Sequence, residues 1–178
     1  AFTDLTDMGI NWDDFGKLKQ SYSMVDDKHY GVPFDNGAVI ACYRTDILKE
    51  AGYTIDDLTD ITWSEFAKIG KDVHDKTGKY LLTSEGTGGD TMMMMIQSCG
   101  ANFVNEKGDA YIVGNDIAEK CVDIYTELVQ NDVVKLVNNW DEYVSTITNG
   151  EAAGVVNGNW ITATIASTED QKGQWAIT

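Results

Sequence analysis

The chain has 178 residues, with 29 Asp and Glu against 13 Lys and Arg and a formal net charge of −16. At 43% hydrophobic and 24% charged residues it has the balance of a globular chain long enough to bury a sizeable core. The acidic excess argues against a nucleic-acid partner and against docking on anionic lipid, which both need clustered Lys or Arg.

Ala1-Phe2-Thr3-Asp4 has neither an initiator Met nor a basic leader, so the sequence reads as cut from something longer. Asn11 is placed to cap a short helix carrying Trp12, Phe15 and Leu18. Tyr30-Gly31-Val32-Pro33 reads as a strand end. The apolar run Ala38 to Tyr43 suits a strand buried on both faces. Thr45 is expected to cap a helix through Ile47 and Leu48 that stops at Gly52. Thr62-Trp63-Ser64-Glu65 is a capping box, followed by an apolar stripe of Trp63, Phe66, Ile69 and Val73 that ends near Gly78.

Tyr80-Leu81-Leu82-Thr83 then predicts a short strand, a glycine-rich turn over 84–90 and an apolar helix. That helix holds Met92 to Met95, four successive residues that sweep about 300° around the axis and cannot all face one core. Two or three are expected to pack and one or two to point to a cleft or a second lobe. Asn115 can cap a long helix with Ile117, Cys121, Ile124 and Leu128 on one side. A further helix holds Tyr143, Val144 and Ile147 until Asn149-Gly150. Ala152 to Val156 is a buried-type strand, Trp160 opens a short helix, and Gln174 to Ile177 closes with a strand. Strands alternating with helices predict an α/β fold with a partly parallel sheet.

No run approaches the ~20 apolar residues of a membrane span. Cys42, Cys99 and Cys121 lie far apart without a CxxC, which argues for buried free thiols over zinc or a disulfide framework. His29 and His74 stand alone, outside any HExxH, and each reads as a surface or core residue. No nucleophile elbow, Walker lysine or EF-hand pattern is present, so no metal, cofactor or catalytic residue is assigned.

Four ordered motifs carry a resemblance. They are Tyr30-Gly31-Val32-Pro33-Phe34-Asp35-Asn36-Gly37, then Tyr43 to Gly52, then Thr62-Trp63-Ser64-Glu65-Phe66, and last Asn149 to Trp160 (NGEAAGVVNGNW). Together they resemble the family-1 extracellular solute-binding proteins of bacterial ABC importers. The resemblance implies a type II periplasmic-binding-protein-like lobe, α/β, with a mixed, mostly parallel sheet flanked by helices. By the same analogy residues 1–34 are the tail of a first lobe, 35–172 the second, ligand-binding lobe, and 173–178 a strand returning toward the first. It further implies a mono- or oligosaccharide ligand, a membrane permease as partner, a monomer, and a periplasmic or lipid-anchored extracytoplasmic location. Half of such a receptor is expected to bind sugar weakly or not at all.

Sugars offer hydroxyls to Asp, Asn or Glu and C–H faces to flat aromatic rings. With the resemblance, Asp35 and Asn36 stand where the chain crosses between lobes, although an Asp-Asn-Gly turn is the alternative. Trp160 is the stacking face, with Gly158 allowing close backbone approach and Asn159 standing where the family usually has Pro. Asp90 and Thr91 begin the methionine helix, with Asp90 alternatively its N-cap; Glu85 is a weaker candidate. Trp63 and Trp175 are assigned to packing, and Trp140 is undecided. A second reading, an acidic glycoside hydrolase with two facing carboxylates, has no motif behind it. A polyamine, metal or phosphorylated ligand is a further alternative, and the lack of a basic cluster favours a neutral sugar or a cation over an anion.

Overall fold

A computed structural model describes residues 2–35, 37–86 and 89–178, and the chain divides into two compact units, Ala1–Ala38 and Val39–Thr178. In the first unit the helix expected from Asn11 is interrupted. Trp12–Asp14 makes one 3-10 turn, Phe15 and Gly16 are extended, and α1 (Lys17–Ser21) follows. Asn11 donates from Nδ2 to Asp14 Oδ1 (2.9 Å) instead of capping. β1 (Met24–Val25) and β2 (Lys28–His29) pair antiparallel across Asp26 and Asp27, whose φ of 48° and 60° are those of a tight primed hairpin turn. Trp12 stacks on the buried His29 ring at 3.7 Å, and its indole N–H donates to the Thr6 carbonyl. His29 is therefore a core histidine of this unit.

The second unit is built on β3 (Val39–Arg44), which pairs antiparallel with β6 (Gly154–Gly158) on one side and β7 (Trp175–Ile177) on the other. β4 (Leu82–Glu85) and β5 (Val134–Val137) run parallel, and a parallel bridge joins Tyr80 to Ala152. The strand pairing is mixed as expected, but among the described residues of this unit two of the three strand pairs are antiparallel, which corrects the mostly parallel reading. β3 buries Cys42 and Tyr43 but exposes Val39, so only part of the run is enclosed. β5 is an element the apolar pattern alone does not reveal, because Lys135 interrupts the run and pairs with Glu151 at the surface.

Helix boundaries follow local chemistry. α2 (Thr45–Ala51) starts at Thr45, its expected cap, with Arg44 at the cap position instead and its guanidinium gripping Asp46 through two bonds of 2.8 and 2.7 Å. The Arg44 guanidinium holds the Asp46 carboxyl below the usual carboxylate range. α3 (Trp63–Thr77) is capped by Thr62, whose hydroxyl accepts from Glu65 N while the Glu65 carboxylate accepts from Thr62 N (2.8 Å). That backbone N–H lowers the Glu65 pKa. The helix closes on Gly78 in the left-handed region (φ 68°).

α4 (Asp90–Ser98) follows the glycine turn, and α5 (Asp116–Gln130) is capped by Asn115, which accepts from Ala118 N. α6 (Trp140–Thr148) is capped by Asn139, and α7 (Ile161–Ala166) begins after Trp160. Leu48, Leu82, Met95, Ile96, Leu128 and Val133 form the main core between β4, β5 and helices α2 to α5. A second cluster of Cys42, Val137, Tyr143, Ile147, Val155 and Ile161 lies under α6 and α7. Burying each large aliphatic side chain contributes roughly 1.5–3 kcal/mol, so these clusters fix the strand ends on which the candidate site stands. Of the cysteines, Cys42 and Cys121 are buried as expected and Cys99 is exposed.

Candidate functional site

The carboxyl ends of β4 and β6 open into a cavity of about 180 Å³. Ligands of open α/β sheets bind at this end, where the strands stop and loops diverge. β4 supplies Ser84 and Glu85, α4 supplies Asp90, Thr91 and Met94, α6 supplies Trp140 and Tyr143, and β6 supplies Val156 and Asn157, with Trp160 closing the edge.

Three of the expected residues thus meet in one place: Asp90, Thr91 and Trp160. Asp90 is the first residue of α4, but Gly89 holds the cap position and no side-chain cap bond is made, so Asp90 does not cap this helix. Thr91 is buried, and its hydroxyl bonds Ser84 Oγ at 2.8 Å. Tyr125 donates to the same Ser84 oxygen at 3.0 Å, so the floor of the cavity is a closed hydroxyl network. Glu85 lines the cavity beside Asp90.

Gly158 and Asn159 border the cavity in sequence without lining it. A Cβ on Gly158 would lie 2.2 Å from Trp160 Nε1 and 2.7 Å from its Cδ1. The space over this glycine is filled by the indole of Trp160, so its small size seats the ring. Asn159 contributes its backbone carbonyl to Thr162. Asp35 belongs to the first unit, where its Oδ1 accepts from Gly37 N (2.6 Å) in the turn weighed as its alternative; Asn36 lies outside the described residues.

Sequence reasoning missed the other half of the site. Trp140 stands 5.5 Å from Trp160 by ring centroids, with the planes at 53°, and stacks on Tyr143 at 5.1 Å and 15°. Trp140 is 41% and Trp160 50% exposed, an unusual amount of indole surface for two rings at one cavity. Among the described residues neither indole N–H has a protein acceptor, whereas those of Trp12, Trp63 and Trp175 are satisfied. The signal that could have found Trp140 is its spacing, three residues before Tyr143 on the same helical face.

Tyr143 is buried, at 4% exposed. Its hydroxyl accepts from Asn157 Nδ2 (3.1 Å), and Asn157 Oδ1 accepts from Gly158 N (2.8 Å), which fixes the amide. Tyr143 lines the cavity. Burial pushes the Tyr143 pKa up to about 12, with the charges of Glu85 and Asp90 adding to it. Among the described residues no Lys, Arg or His lines the cavity. Its chemistry is two carboxylates and a neutral phenol between apolar rings, suited to an uncharged polyol or a cation. Among the described residues no group of three or more metal-ligating side chains occurs. Met94 is the methionine that turns to the cavity, and Met95 is fully buried.

Over residues 1–178 the sequence matches the family described as bacterial extracellular solute-binding protein. The chain belongs to this family. It is 35% identical over 178 residues to the lactose-binding protein of Rhizobium radiobacter, covering 100% of this chain and 42% of that protein. It is 28% identical over 156 residues to the arabinooligosaccharide-binding protein of Bacillus subtilis, covering 84% of this chain and 35% of that one. The GacH receptor of Streptomyces glaucescens has the same fold over 99% of this chain and 46% of its own, with a TM-score of 0.83 at 17% identity. The chain therefore spans less than half the length of the relatives it matches. The family's description places its members outside the cytoplasm, and no helix among the described residues is long and apolar enough to cross a membrane.

Proposed function

We propose that this chain is the ligand-binding lobe of an ABC-importer receptor that captures a mono- or oligosaccharide and delivers it to a membrane permease. The observation that carries the reading is the pair of exposed indoles, Trp140 and Trp160, set beside Glu85 and Asp90 at the ends of the strands. An indole face covers the C–H face of a pyranose, and carboxylates accept its hydroxyl protons, each such bond contributing about 1.5–3 kcal/mol. Tyr143 supplies the complementary donor. Relatives named for lactose and arabinooligosaccharide binding support a carbohydrate as the ligand.

In this reading Trp160 and Trp140 stack the sugar, Asp90 and Glu85 accept hydroxyls, and Thr91 holds the floor through Ser84. Gly158 and Asn159 shape the turn that presents Trp160. Asp35 and Asn36 add polar contacts where the chain passes between lobes, with residues 1–34 and 173–178 belonging to the approach and return. The receptor works as an extracytoplasmic monomer, free or lipid-anchored, and performs no chemistry on its ligand. Closure follows from the ligand touching both lobes at once, because only differential contact shifts an open–closed equilibrium.

A cavity of about 180 Å³ falls short of the ~300 Å³ of an ordinary small-molecule site, so this wall by itself holds part of an oligosaccharide. Weak binding by the chain alone follows. Tryptophan fluorescence titrated with a panel of neutral mono-, di- and trisaccharides tests the proposal. A saturable response that disappears in Trp160→Ala is expected; an unchanged response in that variant rejects it.

A further inference from the structure

A second cavity, of about 530 Å³, lies where the start of α3, the end of α4 and the middle of α5 meet. Two of the chain's three cysteines face it. Cys99 is the residue that ends α4, held by its N–H donating to the carbonyls of Met95 and Ile96, and its side chain is exposed. Cys121 lies on α5, which packs against α4, and is 2% exposed. Burial raises the Cys121 pKa, and the neighbouring Cys99 thiol raises it further. Cys42 sits apart, in the cluster with Ile147 and Val155. The odd thiol is thereby accounted for: one cysteine is isolated in a core and two stand together at a solvent-open cavity.

We propose that Cys99 and Cys121 are a disulfide-forming pair that cross-links the end of α4 to α5 in the oxidising surroundings of an extracellular protein. Disulfides persist in such compartments, and the description of the family places its members there. The oxidant is a small or protein disulfide, RSSR. Exposed Cys99, as thiolate, attacks one sulfur of RSSR, which breaks the S–S bond, forms Cys99–S–S–R and releases RS⁻. Buried Cys121 then loses its proton, attacks Cys99 Sγ and expels the second RS⁻. The two protein thiols are oxidised together, RSSR is reduced to two RSH, and the balance is complete. The order follows from exposure, since only Cys99 is reached first.

The cross-link bears on the carbohydrate site without being part of it. α4 begins with Asp90, Thr91 and Met94 in the candidate cleft and ends at Cys99, so a bond at its far end ties this wall of the cleft to α5. Closing the loop between residues 99 and 121 also restricts the unfolded chain. Oxidised protein is therefore expected to melt several degrees above reduced protein.

The test is a thiol count on the folded chain. The protein is incubated with oxidised glutathione under native conditions, quenched in acid, denatured and alkylated, then analysed by peptide mass spectrometry. The expected result is a single alkylated thiol, Cys42, and a linked Cys99–Cys121 peptide pair lighter by two hydrogens. In Cys42→Ser no alkylated thiol remains. Three alkylated cysteines, glutathione retained on Cys99, or a link to Cys42 each overturn the proposal. The count reads the wild-type chain directly, and its outcome is independent of whether sugar binds.

Discussion

Replacing Gly158 by alanine separates the binding role of Trp160 from a packing role. The added Cβ would lie 2.2 Å from Nε1, and ordinary contact begins at 3.4 Å, so the indole must withdraw by about 1.2 Å or turn away. The ring is 50% exposed, and solvent gives it room to do so. An off-rotamer side chain costs about 0.5–1.5 kcal/mol, so folding stability is expected to fall by no more than that. Withdrawal breaks the arrangement with Trp140, now 5.5 Å between centroids. An aromatic face contributes about 0.5–1.5 kcal/mol beyond buried area, which is about two- to twelve-fold in affinity. Urea denaturation followed by tryptophan fluorescence supplies the stability, and the same signal titrated with sugar supplies the affinity. Weakened binding with little change in stability is expected. A stability loss above about 3 kcal/mol, or an affinity unchanged although the indole has moved, would refute the reasoning.

Other changes probe the parts around this ring. Trp140→Ala removes the second platform and is expected to weaken sugar binding about two- to twelve-fold by the same energies, measured by calorimetry; equal affinity in variant and parent removes Trp140 from the site. Tyr143→Phe leaves Asn157 Nδ2 without its acceptor and should cost about 1 kcal/mol of stability in urea melts, with weaker sugar binding because the phenol donor is lost. The pKa of Tyr143 is raised in the fold, from 10.0 to about 12, so its contribution is fully present below pH 10 and is lost as pH rises through 12. A shift of this size corresponds to about 2–3 kcal/mol. Alkaline unfolding followed by circular dichroism should therefore become less steep across that window in Tyr143→Phe; an identical slope contradicts the shift. Thr62→Ala removes the cap of α3 and is expected to cost about 1 kcal/mol, read as a lower urea midpoint with sugar affinity intact.

The elements with local causes were legible from sequence. Thr62 and Glu65 satisfy each other's backbone partners within one turn, and Asn115 reaches Ala118, so neither cap depends on the rest of the fold. The turn holding Trp160 was legible for the same reason. What depended on distant pairing was not. The run at β5 carries Lys135 and makes sense only as a partner of β4, and the antiparallel majority of the strand pairs follows from β6 and β7 flanking β3. Trp140 and Asn157 enter the site only because the start of α6 and the end of β6 lie beside Glu85 and Asp90, about fifty residues or more away along the chain. At Asp35 composition suggests a turn and the resemblance a ligand contact, and its Oδ1 accepts from Gly37 N within that turn. At Gly158 the atom that needs the space belongs to Trp160, two residues on.

The central claim is that carbohydrate is recognised on the paired indoles of Trp140 and Trp160. Two-dimensional NMR of the five indole N–H groups, assigned by single Trp→Phe variants and titrated with lactose or an arabino-oligosaccharide, addresses it most directly. Neither indole N–H of this pair has a protein acceptor among the described residues, whereas Trp12, Trp63 and Trp175 donate inside the protein. Saturable shifts confined to Trp140 and Trp160 are expected. Shifts centred on the other three indoles, or none at any sugar concentration, would contradict it.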